Sequence, residues 1–271
     1  MTIADGLVLL ASTKEALRIT LNMPKSAPFS TYVDSPLIPF TPRKLFATGE
    51  QGVWYDPSDL SSMYQDAAMT IPVTANGDPV GAMMDLSGNG NHATQTVSAS
   101  RPTYQTDGIL HWLAFDGVDD WLSAEYAAVI SQPNTASVSF VMNNLSGTVS
   151  VFGAITSSNS NRQLAYKGIG GERWFAGSTA DLFDVTEGVN TLLVGEFSGA
   201  SSFVKQNGAT KRVGDSGLNG TDGVTLGALY SNGSFPTNID FYGFLCVSGA
   251  KTPQQIKDIE SYLAQKSGVT L

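Results

Sequence analysis

Charge is scarce in this chain. Asp, Glu, Lys and Arg together make up 14% of the 271 residues, against about a quarter in an ordinary soluble domain. Cations are scarcer still, since 15 Lys and Arg against 24 Asp and Glu leave a formal net charge of −9. Binding a polyanion needs clustered cations, so nucleic acid is set aside as a main partner. A single cysteine, Cys246, rules out an intrachain disulfide framework and any paired-cysteine zinc site. Its place in the apolar run 241–247 predicts a buried, inert thiol. His92 and His111 are the only histidines, and two without a consistent third ligand do not make a zinc centre. No apolar run nears the ~20 residues that cross a bilayer. The opening Met1–Asp5 has no basic stretch of a secretory leader. A soluble chain with no membrane insertion is expected.

What the chain does have is apolar and neutral-polar material. Hydrophobic residues reach 42%, with 28 Gly and 12 Pro. That composition supports a sizeable core built from many short strands and turns rather than charged helical surfaces. A single all-β sandwich accommodates this length.

Three zones follow from the pattern. In residues 1–22, Ile3, Leu7, Leu10, Lys14, Leu17 and Leu21 alternate spacings of four and three, a heptad seam with Asp5 as N-cap. So short an amphipathic helix needs a partner, either its own domain or another chain. It is read as an assembly or anchoring element, with homo-oligomers expected. Residues 23–44 carry Pro24, Pro28, Pro36, Pro39 and Pro42, which exclude helix and central strand and predict an extended arm. Residues 45–271 form the body. Strands are predicted at 137–142, 191–197, 203–206, 209–213, 224–227 and 240–247, with Asn207-Gly208 as a tight hairpin turn. The last of these is apolar on both faces, as in a strand buried on each side. Thr252 as N-cap, Pro253, Gln255 and the stripe Ile256, Ile259, Leu263 mark a C-terminal helix closed by Gly268 and lying on the body. The fold class read from these signals is all-β: a two-sheet antiparallel sandwich with an N-terminal helix and arm and a C-terminal surface helix.

The segment Asp85-Leu-Ser-Gly-Asn-Gly-Asn-His92 resembles a signature of laminin-G-like, concanavalin A-like jelly rolls. Leu113-Ala-Phe-Asp-Gly-Val-Asp-Asp-Trp-Leu122 resembles that family's strand–turn–strand. The hairpin ending in Asn207-Gly208 and the closing strand with its Pro-capped helix are similar to the family as well. More narrowly, 45–59 and 64–68 resemble a version carried by bacteriophage virion proteins. Lys14–Leu17 and Ala27–Tyr32 resemble short N-terminal modules of phage tail-associated proteins. The resemblance implies a jelly-roll body over 45–271. It also implies a virion component whose N-terminal part, through Leu7, Leu10, Leu17, Leu21, Phe29 and Tyr32, engages other virion proteins. The body would be displayed for attachment to host-surface glycan on a tail tip or fibre. The alternatives are a capsid decoration protein and a polysaccharide depolymerase.

The fold hosts lectins, glycanases and structural modules, so function must be argued from a site. Jelly-roll glycanases need paired carboxylates on one strand facing one cleft. No Glu-x-Asp-x-x-Glu run exists, Asp181, Asp184 and Glu187 have a helical spacing, and adjacent Asp119 and Asp120 would point to opposite faces of a strand. A non-enzymatic protein with no catalytic residues is therefore expected. Gly214-Asp-Ser-Gly217 resembles a protease nucleophile segment but lacks a histidine in context and reads as a surface turn. Sugar recognition uses an aromatic face with planar polar groups; Trp174, with Arg173 beside it, is taken as the exposed candidate, and Tyr230 joins them. No cofactor is required. Asp85, Asn89 and Asn91 offer hard oxygens for a calcium ion, and the competing reading is that they hydrogen-bond turn amides.

Overall fold

The computed structural model describes residues 40–155, 161–168, 171–181 and 184–271. The expected N-terminal helix, all of the arm up to residue 39, and Leu7, Leu10, Leu17, Leu21, Phe29 and Tyr32 lie outside the described residues. Thr41–Leu271 is one compact unit, and all its strand pairings are antiparallel apart from one isolated bridge.

Eight strands make the largest sheet: β1 (Gly52–Tyr55), β5 (Thr103–Thr106), β6 (His111–Asp116), β8 (Asn134–Met142), β13 (Asn190–Phe197), β14 (Phe203–Gln206), β15 (Ala209–Val213) and β17 (Asn238–Ser248). Five strands make a second: β2 (Met63–Tyr64), β3 (Ala82–Met83), β4 (Ala93–Thr94), β7 (Leu122–Ile130) and β16 (Thr221–Leu226). A third holds β9 (Val149–Phe152), β10 (Leu164–Gly168), β11 (Gly171–Phe175) and β12 (Thr179–Asp181).

The two-sheet expectation is thus corrected to three sheets, and the reason is local. The edge strands β9 and β16 meet only through the Gly153–Thr225 bridge. Past this bridge Ala154 pairs with Tyr230 instead, and a Cβ at Gly153 would lie 2.2 Å from the Leu229 carbonyl oxygen, so the backbones approach closely there. The smaller sheets therefore lie edge to edge.

One buried cluster joins all three sheets. Val138, Phe140, Leu193, Phe241 and Phe244 of the large sheet meet Met83, Leu122, Ala124 and Val224 of the second, and Phe152, Ala165 and Trp174 of the third. On β17 the alternation is interrupted by a bulge between Phe241 and Gly243, which lets Phe241 and Phe244, three apart, both face this core. The opposite face of the large sheet is covered by α1 (Pro253–Ser267), which contacts β8, β13 and β17. β17 is therefore buried on both sides, as its sequence predicts. The helix start is as expected: Thr252 accepts from the Gln255 amide, the Gln255 side chain returns the bond, and Gly268 closes the helix with φ of 72°. Ile256, Ile259 and Leu263 face the sheet. At the other rim of α1, Lys266 pairs with Asp56 at 2.9 Å and Tyr262 donates to the same carboxylate.

Candidate functional site

Trp174 is not a surface residue. It is 0% exposed, stacked on Phe197 at 4.6 Å and 10° and set edge-on to Phe152 at 5.6 Å. Its Gly-rich context suggested a loop, but strand β11 alternates, and Trp174 falls on the core face beside Ala165. Gly195 on β13 vacates its seat, since a Cβ there would lie 2.6 Å from the indole Cζ2.

The calcium reading is also corrected. Asp85 Oδ1 accepts from the amides of Trp54 and Ser87, and Oδ2 from Ser87 Oγ and the Asn91 amide. Asn89 and Asn91 both turn their Nδ2 groups toward the Gly52 carbonyl. Donors aimed inward and a carboxylate already holding four hydrogen bonds make a loop brace.

Arg173 and Tyr230 belong to a different arrangement. The hairpin β10–β11 pairs Leu164 with Phe175 and Tyr166 with Arg173. With Ala165 and Trp174 turned to the core, alternation puts Leu164, Tyr166, Arg173 and Phe175 on the other face. There Leu164, Ala154 and Leu229 form a buried apolar base, packed against by half-buried Tyr166, Phe175 and Tyr230. Tyr230 is brought in by a bridge to Ala154. Tyr166 and Phe175 meet edge to face at 6.5 Å. Arg162 lays its guanidinium over Phe175, Cζ 5.3 Å from the ring centre, and its Nη1 lies 3.4 Å from Tyr230 Oη. Half-exposed rings offer π faces to C–H groups, and guanidinium edges offer fixed donors to oxygens. The sequence reading missed Arg162, Tyr166 and Phe175. The alternation Leu-Ala-Tyr then Arg-Trp-Phe across a Gly-rich turn was the available signal.

A second polar constellation sits on the turn between β6 and β7. Asp116, Asp119 and Asp120 bring one carboxylate oxygen each within 4.8 Å of one another. The expectation that Asp119 and Asp120 point apart is corrected, because they lie in a turn and not on a strand. Asp116 Oδ1 accepts from the Val118 amide at 2.7 Å, and Asp120 Oδ2 accepts from the Asp116 amide at 3.1 Å. Burial pushes the Asp120 carboxyl up to about 6, and the charges of Asp116 and Asp119 add to this against the Asp116 N–H. Asp116 also borders a polar hollow of about 130 Å³ with Asn144, Ser146 and Asn238.

The remaining reactive side chains are structural. His92 Nδ1 accepts from the Asp85 amide, and His111 stacks on Tyr104. Ser216 is buried, not on a surface turn, and bonds to Ser202 Oγ at 2.7 Å. Cys246 is buried, and burial raises its thiol to about 12, so it is the inert group its sequence context predicts.

No protein-family model matches the chain, and no curated protein matches it. Solved structures do. An α-L-arabinofuranosidase soaked with a cyclic sulfate inhibitor superposes with a TM-score of 0.61 at 11% identity, covering 84% of this chain and 66% of that one. A sialidase of Trypanosoma rangeli gives 0.54 at 12%, covering 94% and 38%. Domain 4 of an extracellular arabinanase from Geobacillus stearothermophilus, in complex with arabinotriose, gives 0.50 at 18%, covering 78% of this chain and 98% of that domain. The chain spans about a third of the sialidases' length and about two thirds of the arabinofuranosidases'. At these identities the likeness shows a shared fold. These neighbours are carbohydrate-acting enzymes or a sugar-bound domain of one, and none is a virion part. The expectation of a non-enzymatic phage virion protein is corrected accordingly.

Proposed function

We propose that the body of this protein is a carbohydrate-engaging β-sandwich of jelly-roll winding, working as or within a glycan-processing protein. The observation that carries this is the half-exposed group Tyr166, Phe175 and Tyr230 with the Arg162 guanidinium laid over Phe175 and Arg173 on the same sheet face opposite Tyr166. Sugars bury their C–H faces on aromatic rings while their hydroxyls take directional hydrogen bonds. The jelly-roll part of the reading is supported by the chain's crossings between layers. It passes from β6 to β7 to β8, and again from β15 to β16 to β17, changing sheet each time. The sugar-bound arabinanase domain, nearly all of which this fold covers, supports the same reading. The test is oligosaccharide binding by calorimetry. Phe175→Ala and Tyr166→Ala are each expected to weaken binding by about 1–2 kcal/mol, the scale of one lost ring contact. Unchanged affinity in both variants would remove the face from the account.

A second reading is glycoside hydrolysis at the Asp116–Asp120 turn, and the raised Asp120 carboxyl favours it. A carboxyl near 6 still holds a proton for a leaving group in weakly acidic solution, with Asp116 or Asp119 as the second carboxyl group. One carboxylate oxygen from each lies within 4.8 Å of the others, so two of them reach one region of a substrate together. Reducing-end release that falls as pH rises above about 6, and is abolished in Asp120→Asn, is the expected result. Release that Asp120→Asn leaves intact would place the chemistry elsewhere.

A further inference from the structure

Arg162 is held unlike the paired cations of the body, and shares with Arg212 an Nε that is sealed without an acceptor among the described residues. Lys205 pairs with Glu260, Lys266 with Asp56 and Lys211 with Asp184, while Arg101 spends its donors on three backbone carbonyls. Arg162 makes no ion pair among the described residues, although the chain has 24 acidic side chains for 15 basic ones. Its Nε is sealed from solvent with no acceptor among them. A buried donor left unmade costs about 1–3 kcal/mol. Phe175 supports the plane of the guanidinium from one side and Tyr230 lies near one terminal nitrogen. The head group is therefore fixed in orientation, and its charge is not neutralised by a described carboxylate. Arg173 adds a second guanidinium on the same sheet face, opposite Tyr166.

A fixed planar cation beside aromatic rings complements a sugar that carries a carboxylate. The ring stacks on Tyr166 or Tyr230, and the carboxylate accepts from the terminal N–H groups of Arg162. A neutral hydroxyl would take the same donors with roughly half the strength. We infer that the glycan face selects acidic sugars, uronic or sialic in class, through Arg162. This rests on the carbohydrate-engaging reading above.

The experiment is calorimetric titration of the full chain with oligogalacturonate and sialyllactose, each beside its methyl ester, and with neutral arabinotriose. The acid of at least one pair is expected to bind about tenfold tighter than its ester. Arg162→Gln should bring that ratio near one, weakening the acid far more than the ester. Tyr230→Phe should lower the ratio by a smaller factor, and both variants should keep the wild-type unfolding temperature within a few degrees. Raising the salt should shrink the ratio in wild type but leave that of Arg162→Gln unmoved. Equal binding of acid and ester, binding of arabinotriose alone, or a ratio that survives Arg162→Gln would overturn the inference while leaving the glycan face standing. No binding to any of these sugars would overturn both.

Discussion

Asp56 and Asp120 are two buried aspartates driven in opposite directions by their neighbours. Burial would raise Asp56, but Lys266, Tyr262 and Ser58 more than offset it and hold the carboxyl below its usual value. Its stabilisation is therefore present above the unfolded value of about 4 and is lost as pH falls through the folded one. Lys266→Met should cost about 2–3 kcal/mol at pH 7 and progressively less as pH falls below about 4, measured by urea unfolding. Asp120 behaves in the reverse sense. Its folded value of about 6 means the folded state binds the extra proton, so stability falls as pH rises from about 4 to 6. Asp120→Asn should accordingly raise stability at pH 7.5 by about 1 kcal/mol, after solvent screening is allowed for, and leave it unchanged near pH 4. At the same scale, Trp174→Ala should cost about 3–5 kcal/mol, as a filled core position and not a sugar platform would. Neither the burial of Trp174 nor the closeness of Asp116, Asp119 and Asp120 was legible in sequence. Each depends on whether a few residues are strand or turn, and Gly-rich context at 168–171 and 117 blurs that boundary.

Elements divide by how much of their signal is local. Helix α1 is fully legible because its cap, its first-turn proline and its terminal glycine are all sequence-adjacent. Thr252→Ala removes a bond from the capping box and should cost about 1 kcal/mol in thermal unfolding. The hairpin β14–β15 was equally plain, with Asn207 and Gly208 both at positive φ, 48° and 80°, as its turn requires. The sheet β9–β12 was not legible. Its strands are short, three to five residues, and glycine stands at the ends of two of them. One face packs on the main core and the other carries the half-buried rings Tyr166 and Phe175, so the alternation of Leu-Ala-Tyr and Arg-Trp-Phe is too short and too weak in contrast to mark which face is outward. The candidate face inherits that difficulty. Arg162 and Tyr230 are 68 residues apart and meet only because the chain after β16 crosses beside the end of β9.

At the scale of the molecule, the layered β body with its outer helix follows from composition. With 14% charged residues and 42% apolar ones, the chain favours sheets that bury both faces over amphipathic helical surfaces. Among the described residues no helix is long and apolar enough to cross a membrane. The body turns one patterned surface outward, where half-exposed rings and guanidiniums share a face while the acidic side chains dominate the overall charge. The most direct test is titration of the full chain and its Tyr166→Ala/Phe175→Ala double variant against one panel of acidic and neutral oligosaccharides. The account predicts saturable binding by the wild type that drops at least about tenfold in the double variant, with the fold intact by circular dichroism. Wild-type binding that the double variant reproduces, or a wild type inert toward every sugar on the panel, would contradict it.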